Sequence, residues 1–323
     1  MEPDVYEEAI AALPHSVQKR LKNCPQPGLG INPWCMSTAR SLVEYFEDDD
    51  VIAILEAYVK ESGRDRDIRR AVSAARGYAN GQRGSTESWR LWPVADYALV
   101  HSIVIDSTAN LDKLRAASSG PMGTDELTAQ AIVDVLFPGN PLLCMAREKN
   151  LFWTKPRELW RGRESRMQFI VPNAMASLQG KTKEGKDSVR CLGNTGERQF
   201  LVIEFDIAEA GAWEPYVKEW RARGISTFDA QAALLVHLAT KDIPRFRLTM
   251  AVHSGKKSLH GWFRCQGIPE EQSRAFMVRA TRIGADPATW TKCQLVRMPG
   301  GTRDDGSAQR VEYFNPGKQE GTK

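Results

Sequence analysis

The chain has 323 residues, 42% of them hydrophobic and 26% charged, the proportions of an ordinary globular protein with enough residues for one large or two moderate domains. Its formal net charge of +4 permits nucleic-acid binding without arguing for it, so that case rests on where the charges fall. The six cysteines, at 24, 35, 144, 191, 265 and 293, include no Cys-x-x-Cys pair, and no apolar run is long enough to span a membrane or follows a charged leader; this excludes a zinc-finger pattern and a secreted disulfide framework, and makes a reducing cytoplasm the expectation.

In chain order, the sequence predicts an N-terminal helical domain over 1–80, a linker over 81–89, a second domain over 90–315 and a frayed tail over 316–323. Residues 1–21 suggest one or two short helices broken at Pro14, followed by a Pro/Gly connector over 24–33. A helical pattern runs from Trp34 to Phe46. Asp50 then precedes Val51, Ile54, Leu55, Tyr58 and Val59, an apolar stripe at helical spacing that stops at Gly63. A further helix opens at Asp65 or Asp67 and places Ile68, Val72, Ala75 and Tyr78 on one face. The stretch 41–61 carries seven acids and one lysine, a solvated acidic face or a protein contact rather than a nucleic-acid surface.

After the linker, the segment 97–106 reads as helix or strand, 118–124 as a loop, and Thr124 as the cap of a helix carrying Leu127, Ile132, Val135 and Leu136. Residues 141–146 and 167–172 read as strands. The window 155–190 holds nine basic and four acidic residues. Lys155, Arg157, Arg161, Arg163, Arg166, Lys181, Lys183, Lys186 and Arg190 lie there with Trp160 and a loop over 179–188. Basic side chains beside an aromatic suit a single-strand groove; each taken alone is also an ordinary exposed basic residue.

Three stretches between 200 and 303 carry the chemistry. In "FLVIEFDIAE" (200–209) a β-branched run leads into Glu204 and Asp206, which a strand would project from one face. Two adjacent carboxylates repel unless a cation lies between them, and hard oxygen ligands suit Mg²⁺ or Mn²⁺. Alone, the pair also fits a solvated edge strand. In "RLTMAV" (247–252) and "LHGWFRC" (259–265) two strands flank the turn "SGKK" (254–257). Such a turn can aim backbone N–H groups, Lys256 and Lys257 at an anion. Ser258 and His260 would share a face and suit a triphosphate, or His260 is a hydrogen-bonded strand histidine. His253 is a phosphate candidate or caps its strand. In "ADPATWTKCQLVRMPGGTR" (285–303) Asp286 lies between a helix expected over 270–284 and a strand over 293–298 that bears Arg297, with Arg303 after a Pro-Gly-Gly turn. A third carboxylate can position metals and an arginine fork can grip phosphate, while a connector acid and a salt-bridge partner remain the plainer readings. Helices are also expected over 213–223 and 229–238, with His237 at a core edge, and a final strand over 310–315.

A carboxylate pair, then Ser-x-His, then an Asp followed by an arginine-bearing strand resembles the archaeo-eukaryotic primase superfamily, in particular the primase-polymerases carried by plasmids, phages and integrated elements. The matching residues are Glu204 and Asp206, where many members have Asp first, Ser258 and His260, Asp286, and Arg297. The resemblance is strongest over 200–303 and extends from about 90 to 315. It implies an α+β fold: an antiparallel, RNA-recognition-like catalytic sheet flanked by helices, with the all-α domain before it. The family's small helical domain usually lies on the other side of the catalytic domain.

The resemblance further implies a template-dependent nucleotidyltransferase, a DNA primase or polymerase acting in replication of a mobile element. Two divalent ions, Mg²⁺ or Mn²⁺, would be held by Glu204, Asp206 and Asp286. Ser258, His260 and Arg297, with Lys256 and Lys257, would hold the NTP or dNTP. Arg303, Lys181, Lys183, Lys186 and Arg190 would contact a single-stranded DNA template. No GxxxxGK[ST] sequence is present, so a helicase motor is expected on a separate partner. Two other classes compete. A rolling-circle relaxase needs His-x-His and a nucleophilic tyrosine, and there is no His-x-His. A non-catalytic nucleic-acid-binding replication protein on a primase-like scaffold would be expected to lose some of this residue set.

Overall fold

The computed structural model describes residues 9–11, 13–25, 31–43, 45–59, 64–79, 92–119, 127–207, 209–242 and 246–317. The chain divides into two units, Met1–Leu91 and Trp92–Lys323. The expected linker, Gly63, Thr124, most of the 118–124 loop and the tail beyond Gly317 lie outside the described residues.

The first unit is helical: α1 His15–Lys22, α2 Ile31–Leu42, α3 Asp48–Tyr58 and α4 Asp65–Ala79. The stripe at i, i+3, i+4 produces the expected burial. Val51, Ile54 and Leu55 of α3 pack with Ile68, Val72 and Ala75 of α4 and with Trp34 and Leu42 of α2. Three acids in the first turn of α3 complement the positive end of the helix. Pro14 stands at the N-cap of α1, where a missing N–H costs nothing. Arg76 of α4 ties the unit together: Nε donates to Asp48 Oδ1 at 2.6 Å and Nη1 to the Val43 carbonyl at 2.8 Å.

The second unit is mixed α+β with antiparallel sheets. It contains α5 Tyr97–Asp106, α6 Leu111–Ala116, α7 Ala129–Leu136, β1 Leu142–Glu148, β2 Leu151–Pro156, β3 Phe169–Ile170, β4 Gly180–Lys181, β5 Asp187–Ser188, β6 Phe200–Glu204, α8 Glu214–Ala222, α9 Thr227–His237, β7 Arg247–His253, β8 Leu259–Arg264, α10 Glu270–Arg282, β9 Val296–Arg297 and β10 Val311–Phe314. One four-stranded sheet has the order β2-β1-β3-β9 and a second the order β10-β7-β8-β6; β4 and β5 form a separate hairpin. Among the described residues every paired strand is antiparallel.

Strand alternation sorts the core. Leu201, Ile203, Phe205, Leu259 and Phe263 face a helical layer with Val217 and Trp220 of α8, Leu234 and Leu235 of α9, and Phe276 and Met277 of α10. Phe200, Val202, Trp262, Met250 and Val252 face the other way. They pack on Leu143 and Met145 of β1, Val296 of β9 and Ile132, Val133 and Leu136 of α7. The second sheet is therefore buried on both faces, and its strands read as continuous apolar runs.

Several elements differ from expectation. Residues 97–106 are a helix, because the Asp96 side chain accepts from Leu99 N and starts the turn. The helix expected at Thr124 begins after Thr128, whose hydroxyl accepts from Ala131 N at 3.1 Å. The strands expected over 167–172 and 293–298 shrink to the two-residue β3 and β9. Pro172 and Pro299 follow each closely and have no N–H to extend the ladder. The loop over 179–188 folds back as the β4–β5 hairpin.

Candidate active site

The strand β6 sets the site. Phe205 continues it as an isolated antiparallel bridge to Ala285, and the Asp286 N–H donates to the Glu204 carbonyl at 2.9 Å. Phe205 and Ala285 both enter the helix-side core. Residues 204 and 206 alternate with 205, and 286 stands opposite 204 across the bridge. Glu204, Asp206 and Asp286 therefore lie on the opposite face from Phe205 and Ala285. Three carboxylates predicted from two separate stretches are adjacent.

The β7–β8 hairpin supplies the next shell of groups. Glu204 pairs in register with His260. Ser258 Oγ donates to Glu204 Oε1 at 2.8 Å, and His260 Nε2 lies 3.3 Å from the same oxygen and 3.4 Å from Ser258 Oγ. Both side chains are buried. Burial alone would raise the Glu204 pKa, but the charge and hydrogen bond of His260, the Ser258 hydroxyl and the charge of Arg297 outweigh it and hold the carboxyl at about 2. Asp286 is half-buried, and its pKa is raised by that burial and then by the negative charges of Glu204 and Asp206, against a hydrogen bond from Ala288 N. Asp286 thus lies within electrostatic reach of the other two acids.

The turn between the strands is pinned from both sides. Gly255 has φ +82°, and a Cβ there would lie 2.8 Å from Arg303 Cδ, so only glycine seats this turn against Arg303. His253 Nδ1 accepts from Gly255 N at 3.0 Å, and burial followed by the charge of Arg310 pushes its pKa down, as an acceptor nitrogen requires. His253 therefore holds the turn that follows its strand. Gln231, fully buried on α9, accepts from Leu259 N at 2.6 Å and donates to the Lys257 carbonyl at 2.9 Å. Ser254 Oγ accepts from Ser258 N at 3.1 Å and lies 3.1 Å from Ser258 Oγ. Neither Gln231 nor Ser254 stood out in the sequence. The available signal was a lone glutamine among the alanines and leucines of α9.

The lysines of the turn are engaged. Lys257 Nζ lies 2.5 Å from Asp206 Oδ1 and Lys256 Nζ 3.0 Å from Asp305 Oδ2, all four side chains being exposed. Arg297 stacks over the Phe169 ring at 4.5 Å, and its Nη1 is buried without a hydrogen-bond partner. Its pKa is lowered by burial and then by Arg303, with Glu204 opposing. Arg303 donates from Nη1 to the Ser254 carbonyl at 3.2 Å. Two guanidinium groups thus lie within electrostatic reach of each other beside the carboxylates, an arrangement that an anion would relieve.

The predicted template contacts divide. Lys181, Lys183 and Lys186 are exposed on and around the β4–β5 hairpin, where Lys181 pairs with Asp187 at 2.8 Å. Arg190 Nη1 donates to the Cys293 carbonyl at 2.9 Å, with its guanidinium 4.7 Å from the Phe152 ring. Arg303 of this group reaches the 254–257 turn and lies within electrostatic reach of Arg297. Arg157 is fully buried, paired with Glu164 at 2.6 Å and Asp134 at 3.0 Å, and Trp160 is buried with Nε1 donating to the Leu143 carbonyl. Both are structural. Burial pushes the Cys144 thiol to about 11 and the Cys265 thiol to about 12, so neither is a ready nucleophile.

The donor chemistry of Glu204, Asp206 and Asp286 fits hard divalent cations. Among the described residues, no three His, Cys, Asp or Glu side chains are already gathered at metal-holding distance. The reason is local: Glu204 is turned to Ser258 and His260, Asp206 to Lys257, and Asp286 to the Ala288 amide. Cation binding at this face requires Asp206 to exchange Lys257 for the ion. Comparison with protein-family models, with curated proteins and with solved structures finds no match.

Proposed function

We propose that this face joins nucleotides on a single-stranded DNA template, as a primase or DNA polymerase of the primase-polymerase type. The observation that carries the reading is the Phe205–Ala285 bridge, which brings Glu204, Asp206 and Asp286 onto one face and leaves Asp286 with a raised pKa. Mg²⁺ or Mn²⁺ ions held by these three carboxylates would supply activation of a 3′-hydroxyl and neutralisation of pyrophosphate charge.

The remaining roles belong to the chain itself. Arg297, half-buried over Phe169 with its buried Nη1 unpartnered, offers a donor to a phosphate oxygen. Arg303, beside the 254–257 turn, offers a second. Lys257 pairs with Asp206; on nucleotide binding it moves to a phosphate and releases Asp206. Ser258 and His260 keep Glu204 ionised and oriented, and donate to the triphosphate when Glu204 turns to the cation. A separate helicase would open the duplex. The tethered acids are also the feature that favours the second reading, a nucleic-acid-binding replication protein without catalysis.

The test is nucleotide incorporation on single-stranded DNA in Mg²⁺ or Mn²⁺, with and without an annealed primer. Product on the unprimed template marks a primase, and product on the primed template alone marks a polymerase. Absence of product on both, with DNA binding retained, selects the second reading.

A further inference from the structure

A groove of about 950 Å³ opens on the first sheet, lined among others by Arg147, Trp153, Lys155, Arg163, Arg166 and Arg303. Five basic side chains line it against two acids, Glu148 and Asp304, so its charge is that of a polyanion site. Among the described residues, Arg147, Lys155, Arg163 and Arg166 have no ion-pair partner, whereas nearby Arg157 and Arg161 are both paired with Asp134. An unpaired row of cations beside paired ones is not explained by packing. Trp153 is 37% exposed, and Lys155 Nζ lies 5.7 Å from its ring centroid and 5.1 Å from that of buried Trp160. An exposed indole flanked by a cation is a surface on which a base can stack regardless of its identity.

One residue, Arg303, links the groove to the candidate site. It lines the groove and also donates to the Ser254 carbonyl beside the turn that carries Ser258. Arg303 is in turn within electrostatic reach of Arg297, whose charge reaches Glu204. From these observations we infer that the groove holds single-stranded DNA, with one base stacked on Trp153, phosphates on Arg163 and Arg166, and the strand directed past Arg303 to the carboxylate face. The inference rests on the nucleotidyl-transfer reading for what the strand is used for, but not for its binding. It replaces the β4–β5 lysines as the main template surface.

The experiment is fluorescence anisotropy of a labelled 20-nucleotide oligo-dT, in EDTA and without nucleotide, over a range of salt. Trp153→Ala is expected to weaken binding about tenfold, within the range of one base–aromatic stack. Arg163→Ala with Arg166→Ala should lower the slope of log K against log salt by about 1.4, two contacts at roughly 0.7 each. Lys218→Ala with Arg223→Ala, two exposed residues of α8 and its C-terminal end that do not line the groove, serves as a basic control expected to bind as wild type. These side chains are all exposed, so the variants should fold, which a melting curve checks. Wild-type binding by both groove variants, no binding by the wild type, or equal affinity for duplex of the same length each overturns the inference. Groove-dependent binding without incorporation leaves the groove standing and removes the transfer reading. Incorporation with groove variants that bind normally does the reverse.

Discussion

At the scale of single residues, Glu204 is the point at which structure and chemistry meet. Its carboxyl falls from an ordinary 4.5 to about 2. A depressed acid pKa contributes stability that is present above the unfolded value and lost as pH falls through the folded one. The stability contributed by Glu204 should therefore be complete above about pH 4.5 and disappear toward about pH 2. Urea midpoints at pH 5 and pH 3 should differ less in Glu204→Gln than in the wild type; equal losses would contradict the assignment. His260 is the partner that holds Glu204. His260→Ala is expected to raise the nucleotide KM about tenfold, the scale of one hydrogen bond to a charged group, while template affinity changes little. The reverse split would move His260 into the template groove. The pairings Glu204 with Asp206 and Ser258 with His260 were legible because a strand repeats every two residues. The Lys257–Asp206 ion pair was not, since it joins a turn to a strand end 51 positions away in the sequence.

At the scale of elements, long apolar runs were legible and short ones were not. β6, β7, β8 and α10 appear close to where their sequence patterns place them, because each buries a continuous face. β2 (Leu151–Pro156) was not anticipated. It is an edge strand with Leu151 and Trp153 exposed, so it lacks the buried pattern that identifies a strand. β9 is only two residues long, yet it carries Arg297, and its position is fixed by the turn that follows. A Cβ on Gly301 would lie 2.2 Å from the Met167 carbonyl oxygen, a backbone atom that cannot yield cheaply. Gly301→Ala should cost about 1–3 kcal/mol, as overpacking does in a filled core, and should displace Arg297 and Arg303 together. Chemical denaturation measures the first effect and nucleotide KM the second. An alanine variant of wild-type stability would show that the turn is not constrained as described.

At the scale of the molecule, the two units have separate cores. The apolar cluster of α1 to α4 contains residues of the first unit only, and the two clusters around the sheets contain residues of the second only. Residues 92–323 should therefore fold alone, and incorporation on a primed template should stay within about threefold of the full chain if the carboxylate face is self-sufficient. Loss of folding would mean that the second unit depends on the first. The division into a helical unit and an α+β unit was legible from composition and periodicity. Antiparallel pairing was expected from the resemblance and is what the sheets show, whereas the strand order and the division into two sheets came from the structure, because strand order depends on long-range pairing that no local pattern encodes. The same holds for the basic groove. The sequence window 155–190 announced the charge, but Arg157 went to the core, Trp160 lines the groove while buried, and Arg147 and Trp153, outside that window, became part of the lining.

The central claim is that Glu204, Asp206 and Asp286 form one nucleotidyl-transfer site. It is tested most directly by the rate of nucleotide incorporation on a primed single-stranded template in Mn²⁺ by wild type and Asp206→Ala. Asp206 is exposed at the end of its strand, so the substitution should leave the fold and the melting temperature unchanged. The account predicts that the wild type extends the primer and that Asp206→Ala loses about 10³-fold or more of the rate, the scale of removing a principal electrostatic contribution to the transition state, with oligo-dT binding intact. A variant that incorporates nucleotides at near the wild-type rate would contradict it.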